Sequence, residues 1–278
     1  MGRREVFVQF TCVLMLTAVA LVPSQAGVIG DCFGRDPTIV GTPGEDELNG
    51  TPRTDVIVGL GENDRIYGLG AKDFICGGKG HDWSYGGPGG DRAKGAEINV
   101  GAGGNDMLLA EDSMSAFGGS GNDRLVPQSP EDGDRTFLSG GPGDDYLEGG
   151  THSDEFTPGL GRDKIVGGDH PIYGDLVIYR DARAGMSVDL ITDIATGQGH
   201  DRLISVEEVF GSEFADRILG SDGGNVLHGY RGRDYLSGRG GEDYLSGNRG
   251  RDKIRGGSGE DYCEPEDDMR GCEYAGPL

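Results

Sequence analysis

Cations are scarce in this chain. Lys and Arg number 25 against 48 Asp and Glu, which leaves a formal net charge of −23 over 278 residues. That balance argues against nucleic acid and anionic membrane surfaces as direct partners, because both are held chiefly through Lys and Arg. Hydrophobic residues make up 35% and aromatics 7%, with a single Trp, so a broad conventional core is not to be expected. After Val22 there is no further long apolar run, so nothing downstream reads as a membrane span. Signatures of catalysis are missing as well. There is no His-Glu-x-x-His helix, no Gly-x-Ser-x-Gly elbow and no Walker lysine loop. Five histidines, His81, His152, His170, His200 and His228, are scattered along the chain and read as solvated turn residues rather than zinc ligands. The chain is therefore not read as an enzyme.

The first 26 residues have the layout of a secretory signal peptide. A basic Met-Gly-Arg-Arg start precedes an apolar stretch, and small residues at Ser24 and Ala26 fit cleavage after Ala26. Removing Arg3, Arg4 and Glu5 takes away a net +1, so the mature chain carries about −24. Export implies an extracellular location with no membrane insertion after cleavage. Cys12 leaves with the signal. Cys32, Cys76, Cys263 and Cys272 remain, an even number in an exported chain, which suggests disulfides. Three pairings are possible. Cys32 with Cys76 and Cys263 with Cys272 are favoured, because each pair brackets one end of a repeat array.

Glycine is abundant, at 55 of 278 residues, and it is ordered. From Gly41 the chain falls into nonamers: GTPGEDELN, GTPRTDVIV, GLGENDRIY, GLGAKDFIC, GGKGHDWSY, GGPGGDRAK. A second block starts at Gly140 and a third at Gly211, and isolated copies begin at Gly101 and Gly118. The template is Gly-Gly-x-Gly-x-Asp-x-U-x, with U large and apolar. Asp fills the sixth position in 16 of 17 copies, the exception being Asn225. Leu, Ile or Phe fills the eighth in 14, the exceptions being Ser84, Ala93 and Cys263. A disordered acidic chain would not keep an apolar residue two places after nearly every Asp. The first six residues of a nonamer read as a turn and the last three as a short strand. Residue eight points inward, and residues seven and nine point outward.

This pattern resembles the RTX, or hemolysin-type, calcium-binding nonapeptide repeat family, in the β-roll form of serralysin C-terminal domains. The resemblance implies an all-β fold, a right-handed parallel β-roll (β-solenoid) with calcium in its turns and disulfide-stapled ends. It divides the chain into a signal peptide (1–26), an N-terminal cap (27–40), repeat block 1 (41–94), irregular coils (95–139), block 2 (140–166), a strand-rich spacer (167–210), block 3 (211–264) and a C-terminal cap (265–278). The run from Asp175 to Val209 resembles the spacer before repeat blocks in such domains and reads as larger coils, with a small separate domain as the alternative. Relatives attach these repeats to enzymes or toxins. This chain has no room for such a partner domain, so it reads as a stand-alone secreted, extracellular bacterial protein.

The resemblance also implies that each ion lies between turns 18 residues apart and takes backbone carbonyls and Asp carboxylates from both. Calcium suits such all-oxygen sites. Candidate ligands are Asp46, Asp64, Asp82, Asp91, Asp106, Asp123, Asp145, Asp154, Asp163, Asp216, Asp234, Asp243, Asp252 and Asp261. They allow up to about nine ions. The pairs Asp145/Asp163, Asp234/Asp252 and Asp243/Asp261 combine intact turns. The fourth glycine is replaced at Arg53, Glu62, Ala71, His152 and Phe214, so those turns are expected to bind poorly. Few ions are expected between Asp91 and Asp145, where the Asp spacing slips to 15, 17 and 22 residues. Two large side chains per coil are too little core to order 18 residues unaided, so ion binding should drive folding. The expected function is calcium binding by a non-catalytic structural or binding module. The alternative is an accessory domain with residual hydrolase- or epimerase-type activity on polysaccharide. Trp83, Tyr85, Tyr235 and Tyr244, at outward positions, are candidates for contact with a cell-surface glycan or protein.

Overall fold

A computed structural model describes residues 32–110, 115–127, 135–168, 174–264 and 268–272. The expected signal peptide, the start of the N-terminal cap, His170 and most of the C-terminal cap lie outside those residues. Among the described residues every regular element is a strand. The strands form one sheet of 15, one of 12 and a two-stranded ribbon. Chain order alternates between the two large sheets, so each coil contributes one short strand to each. The result is a parallel β-solenoid of about 12 coils.

The nonamer explains the register. Val56–Gly61 pairs in parallel with Phe74–Lys79, and Ile57 stands beside Ile75, 18 residues on. Eighth-position residues therefore stack in two internal columns. Ile57, Ile66, Ile75, Leu108, Leu125, Leu138, Leu147 and Ile165 are all fully buried. Ser84 breaks the apolar pattern at an inward position. Its hydroxyl donates to Asn99 Oδ1 of the next coil at 2.7 Å, and Asn99 Nδ2 donates to the Ala96 carbonyl at 3.0 Å. The buried polar pair is thus satisfied internally.

The irregular spacings do not break either sheet. In the larger one Ala93 stands beside Leu108, Leu108 beside Leu125, and Leu125 beside Leu147. In the smaller one Ser84 stands beside Asn99, Asn99 beside Ala116, and Ala116 beside Leu138. The steps from Asn99 to Leu108, Ala116 to Leu125 and Leu138 to Leu147 are regular nines. Between Asp91 and Asp145 every deletion or insertion lies in a connection that leads into the smaller sheet.

The segment 175–210 stays within the roll. Leu176–Ile178 and Glu208–Phe210 are neighbours in the smaller sheet. In the larger sheet Ile194–Thr196 pairs antiparallel with Ser187–Asp189 on one side and with His200–Ile204 on the other. This insert carries Tyr179, Ala182, Met186 and Val188 into the core, which is locally thicker than a pair of eighth-position side chains.

Both expected cysteine pairs are joined, with Cα–Cα distances of 5.8 Å for Cys32–Cys76 and 5.9 Å for Cys263–Cys272. Cys76 occupies an outward ninth position, so its bond draws the N-terminal segment over the outer face of the larger sheet. There Phe33 packs on Phe74 and lies under Arg92. Cys263 sits in the inner column. Its bond holds Cys272, which follows the terminal strand Asp268–Arg270.

Candidate metal site

Each sixth-position carboxylate stands at the end of a turn, just before a strand, and the solenoid stacks these residues in columns. On the side leading into the larger sheet, the Asp55 N–H donates to Asp73 Oδ1 at 2.8 Å, and the Asp73 N–H donates to Asp91 Oδ1 at 2.7 Å. The same bond links Asp91 to Asp106, Asp106 to Asp123, Asp123 to Asp145, Asp145 to Asp163 and Asp163 to Asp201. Asp216, Asp234 and Asp252 continue this side after the antiparallel insert. On the opposite side lie Asp46, Asp64 and Asp82, then Asp154, then Asp243 and Asp261. All fourteen residues singled out in the sequence thus belong to two columns. The three favoured pairs are direct neighbours within them.

One oxygen of each carboxylate is used in this ladder. The other is the telling atom. Oδ2 of Asp64, Asp73, Asp82, Asp91, Asp106, Asp123, Asp145, Asp163 and Asp243 is buried and has no hydrogen-bond partner. These side chains are at most 3% exposed. A buried carboxylate oxygen without a partner is costly. Burial, opposed by the ladder hydrogen bond and aided by neighbouring carboxylates, pushes Asp163 up to about 8 and Asp73, Asp106, Asp145 and Asp243 up to about 7. Asp64 and Asp91 rise to about 6 for the same leading reason. A cation placed against these oxygens would offset the cost of burying them.

The backbone of these turns is unusual. Positions two and four take positive φ in most of them, as in Gly78 (119°) and Gly80 (124°). Glycine is favoured there, but Leu60 (91°), Glu62 (64°), Leu69 (79°) and Ala71 (72°) take the same region. Glycine fills position one in every copy but one, where Pro158 stands, and crowding rather than φ explains the preference. A Cβ on Gly68 would lie 2.6 Å from Asp73 Oδ2 and 2.6 Å from the Gly86 carbonyl oxygen. Carboxylate and carbonyl oxygens therefore converge beside position one. Among the described residues no three His, Cys, Asp or Glu side chains cluster. The donor set is one carboxylate per turn with main-chain oxygens, which fits a hard cation such as calcium rather than zinc.

A second kind of turn is also present. In Gly41–Asp46, Gly50–Asp55, Gly149–Asp154, Gly211–Asp216 and Gly220–Asn225 no residue has positive φ. The position-two N–H donates to the sixth-position side chain instead: Thr51 to Asp55 Oδ2 at 2.6 Å, Gly150 to Asp154 Oδ2 at 2.6 Å, Ser212 to Asp216 Oδ2 at 2.6 Å and Ser221 to Asn225 Oδ1 at 2.7 Å. The Thr42, Thr51 and Ser212 hydroxyls add a second bond at 2.7–3.0 Å. We refer to these as closed turns and to the first kind as open.

The fourth glycine, expected to separate good turns from poor ones, does not separate the two conformations. The Glu62 and Ala71 turns are open without it, whereas the Gly44 and Gly223 turns are closed with it. Asp73 and Asp201, not singled out in the sequence, stand in the main column. Asp201 follows Gly197-Gln-Gly-His, a contracted Gly-x-Gly-x-Asp signal. Its Oδ2 accepts a hydrogen bond from the buried Tyr179 hydroxyl at 3.0 Å.

Of the outward aromatics, Trp83, Tyr85 and Tyr244 share the outer face of the smaller sheet, where Trp83 stacks on Tyr85 with centroids 5.9 Å apart. Tyr235 is on the opposite face, between Arg217 and Lys253. His81 pairs with Glu97 at 3.1 Å. His228 packs among Phe210, Tyr230 and Tyr244, and burial lowers its pKa.

Stretches 49–84, 132–169, 210–245 and 237–266 match the profile of the RTX calcium-binding nonapeptide repeat. A comparison with curated proteins gives no match.

Proposed function

We propose that this chain, which carries RTX calcium-binding nonapeptide repeats on a parallel β-solenoid, is an extracellular, non-catalytic calcium-binding module whose open turns take the ions. The observation that carries this reading is the set of nine buried, unpartnered Asp Oδ2 atoms. Asp64, Asp73, Asp82, Asp91, Asp106, Asp123, Asp145, Asp163 and Asp243 would supply carboxylate oxygens, with turn carbonyls completing each shell. Asp234, Asp252 and Asp261 stand in turns with positive φ and the same ladder bonds and extend the set. On this reading the stretch from Asp91 to Asp145 is among the richest in ions, although its sequence spacing is the most irregular.

Calcium bound there neutralises the columns and joins successive coils, so its binding energy appears as folding energy. Extracellular sites of this kind work at about 10⁻⁴–10⁻³ M calcium. The chain would then stay open in a calcium-poor cytosol and close outside the cell. Cleavage after Ala26 and the two disulfides fit that route. The test is a calcium titration of the mature chain, followed by isothermal calorimetry and circular dichroism. Strand signal should grow with calcium and vanish in EDTA. Identical spectra in EDTA and in millimolar calcium would sink the proposal.

A further inference from the structure

The closed turns are not scattered along the solenoid. Gly41–Asp46 and Gly50–Asp55 are the first turns of their two columns. Gly211–Asp216 restarts one column after the antiparallel insert, where the Met186 N–H rather than another turn's aspartate meets Asp216 Oδ1, at 2.6 Å. Gly220–Asn225 restarts the other column, where Asn225 Nδ2 donates to the Glu207 carbonyl at 3.2 Å. Gly149–Asp154 follows Thr136, whose N–H meets Asp154 Oδ1 at 2.8 Å in place of a turn aspartate. In four of the five cases an open turn follows one coil later on the same side, beginning at Gly59, Gly68, Gly229 and Gly238; the turn after Gly149–Asp154 lies partly outside the described residues. An ion shared by two turns needs oxygens from both. A turn that begins a column has no open neighbour before it.

The residue at position two provides the alternative. Four of the five closed turns have Thr or Ser there: Thr42, Thr51, Ser212 and Ser221. No open turn does; their second residues are Leu60, Leu69, Tyr230, Arg239, Asn248, Ala102 or glycine. A β-branched Thr strongly avoids positive φ, and Pro43 and Pro52 hold the preceding threonines in the extended region. The turn is then bound to close, and N–H and hydroxyl both reach the sixth-position side chain. The single repeat without a carboxylate, Asn225, lies in a closed turn. A neutral amide costs nothing where no cation binds.

We infer that Thr42, Thr51, Ser212 and Ser221 are hydroxyl plugs that stand in for calcium and make the first turn of each array an ion-free boundary. Gly150 closes its turn by the N–H alone, beside His152 at position four. Tyr179 closes the far end of the long column through Asp201. The inference rests on the reading of the open turns as calcium sites, and it concerns which turns are excluded.

The test removes the plugs in the full mature, disulfide-bonded protein. Thr51→Gly with Arg53→Gly turns the boundary into GGPGTD, and Ser212→Gly with Phe214→Gly gives GGEGAD. Bound calcium is counted by elemental analysis at saturating free calcium. Each pair should raise the count by one ion per chain. An unchanged count in folded variants overturns the inference and leaves the parent reading intact. So does failure of both variants to fold in saturating calcium, since an opened turn filled by an ion should be tolerated at either place. If the unaltered protein itself holds no calcium, the parent reading is the one that falls.

Discussion

Taking calcium away should make folding depend on acid. In the metal-free roll seven aspartates, Asp64, Asp73, Asp91, Asp106, Asp145, Asp163 and Asp243, sit at about 6 to 8 against an ordinary 3.8. Their folded pKa is raised, so the protonated form stabilises the fold. That contribution is full below about pH 4 and is lost as pH climbs through 6 to 8. A tenfold change in proton affinity corresponds to about 1.4 kcal/mol, so ionising one such residue in the folded roll costs roughly 3 to 6 kcal/mol. Ionising two or three of them already offsets a typical domain stability of about 5–15 kcal/mol. The metal-free chain should therefore be unfolded at pH 8 and gain strand structure on acidification toward pH 5. With calcium the sign reverses, because the ion holds the carboxylates ionised. The loaded roll should be stable at pH 8 and release calcium as pH falls through the same window. Far-UV circular dichroism from pH 4 to 9, in EDTA and in 5–10 mM calcium (about ten times the ~10⁻⁴–10⁻³ M range of such sites), reads both limbs. A metal-free chain with the same strand signal at pH 8 as at pH 5 would refute the reasoning, because it would show that the buried carboxylates are not what opposes folding.

Asp123→Ala removes both a proposed ligand and the acceptor for the Asp106 N–H, in the middle of the long column. It should lower the calcium count by at least one and the loaded-state stability by roughly 2–4 kcal/mol, seen in calcium-dependent thermal melts. Tyr179→Phe leaves Asp201 Oδ2 buried without its donor and should cost about 1–3 kcal/mol in denaturant unfolding, with the calcium affinity of Asp73 to Asp145 little changed. Replacing Cys263 and Cys272 by Ala opens a loop of nine residues and empties an inner position. A loss of about 2–3 kcal/mol from the cross-link alone is expected, and hydrogen exchange should show fraying confined to the strands after Tyr244.

The fold was legible because the repeat encodes it twice. Ile57, Ile66 and Ile75 announce the inner columns by their nine-residue spacing, and Asp in the sixth place announces the turns. The disulfides followed from their positions at the array ends. Turn type was less legible. Glycine at position four was expected to decide, yet Glu62 and Ala71 accept a modest strain to take positive φ, while Gly44 does not take it. The residue that tracks the choice is at position two, where Thr42 and Thr51 resist positive φ and offer a hydroxyl. Asp201 was hidden because its turn is contracted and its strand belongs to an antiparallel insert that no nonamer count reaches. Ser84 looked like a defect at position eight until Asn99, outside any repeat copy, proved to be its partner one coil away.

On the proposed reading of the open turns, a broken spacing need not mean a broken site. A coil has two turns, and a change of length can be absorbed in either. Here the short connection through Gly95 and the altered connections before Ser115 and Phe137 all lead into the smaller sheet. The other turn of each coil, ending at Asp106, Asp123 and Asp145, keeps its full six residues, its positive-φ pair and its ladder bond. Had the changes been shared between the two sides, each column would have been interrupted where the stack most needs a counter-charge. Confining them to one side keeps the opposite column continuous from Asp73 to Asp163, past three irregular coils. Asp spacing along the chain records the sum of both turns and so cannot show this. The spacing within one turn, from Gly101 to Asp106 or from Gly118 to Asp123, carries the information that matters for the ion.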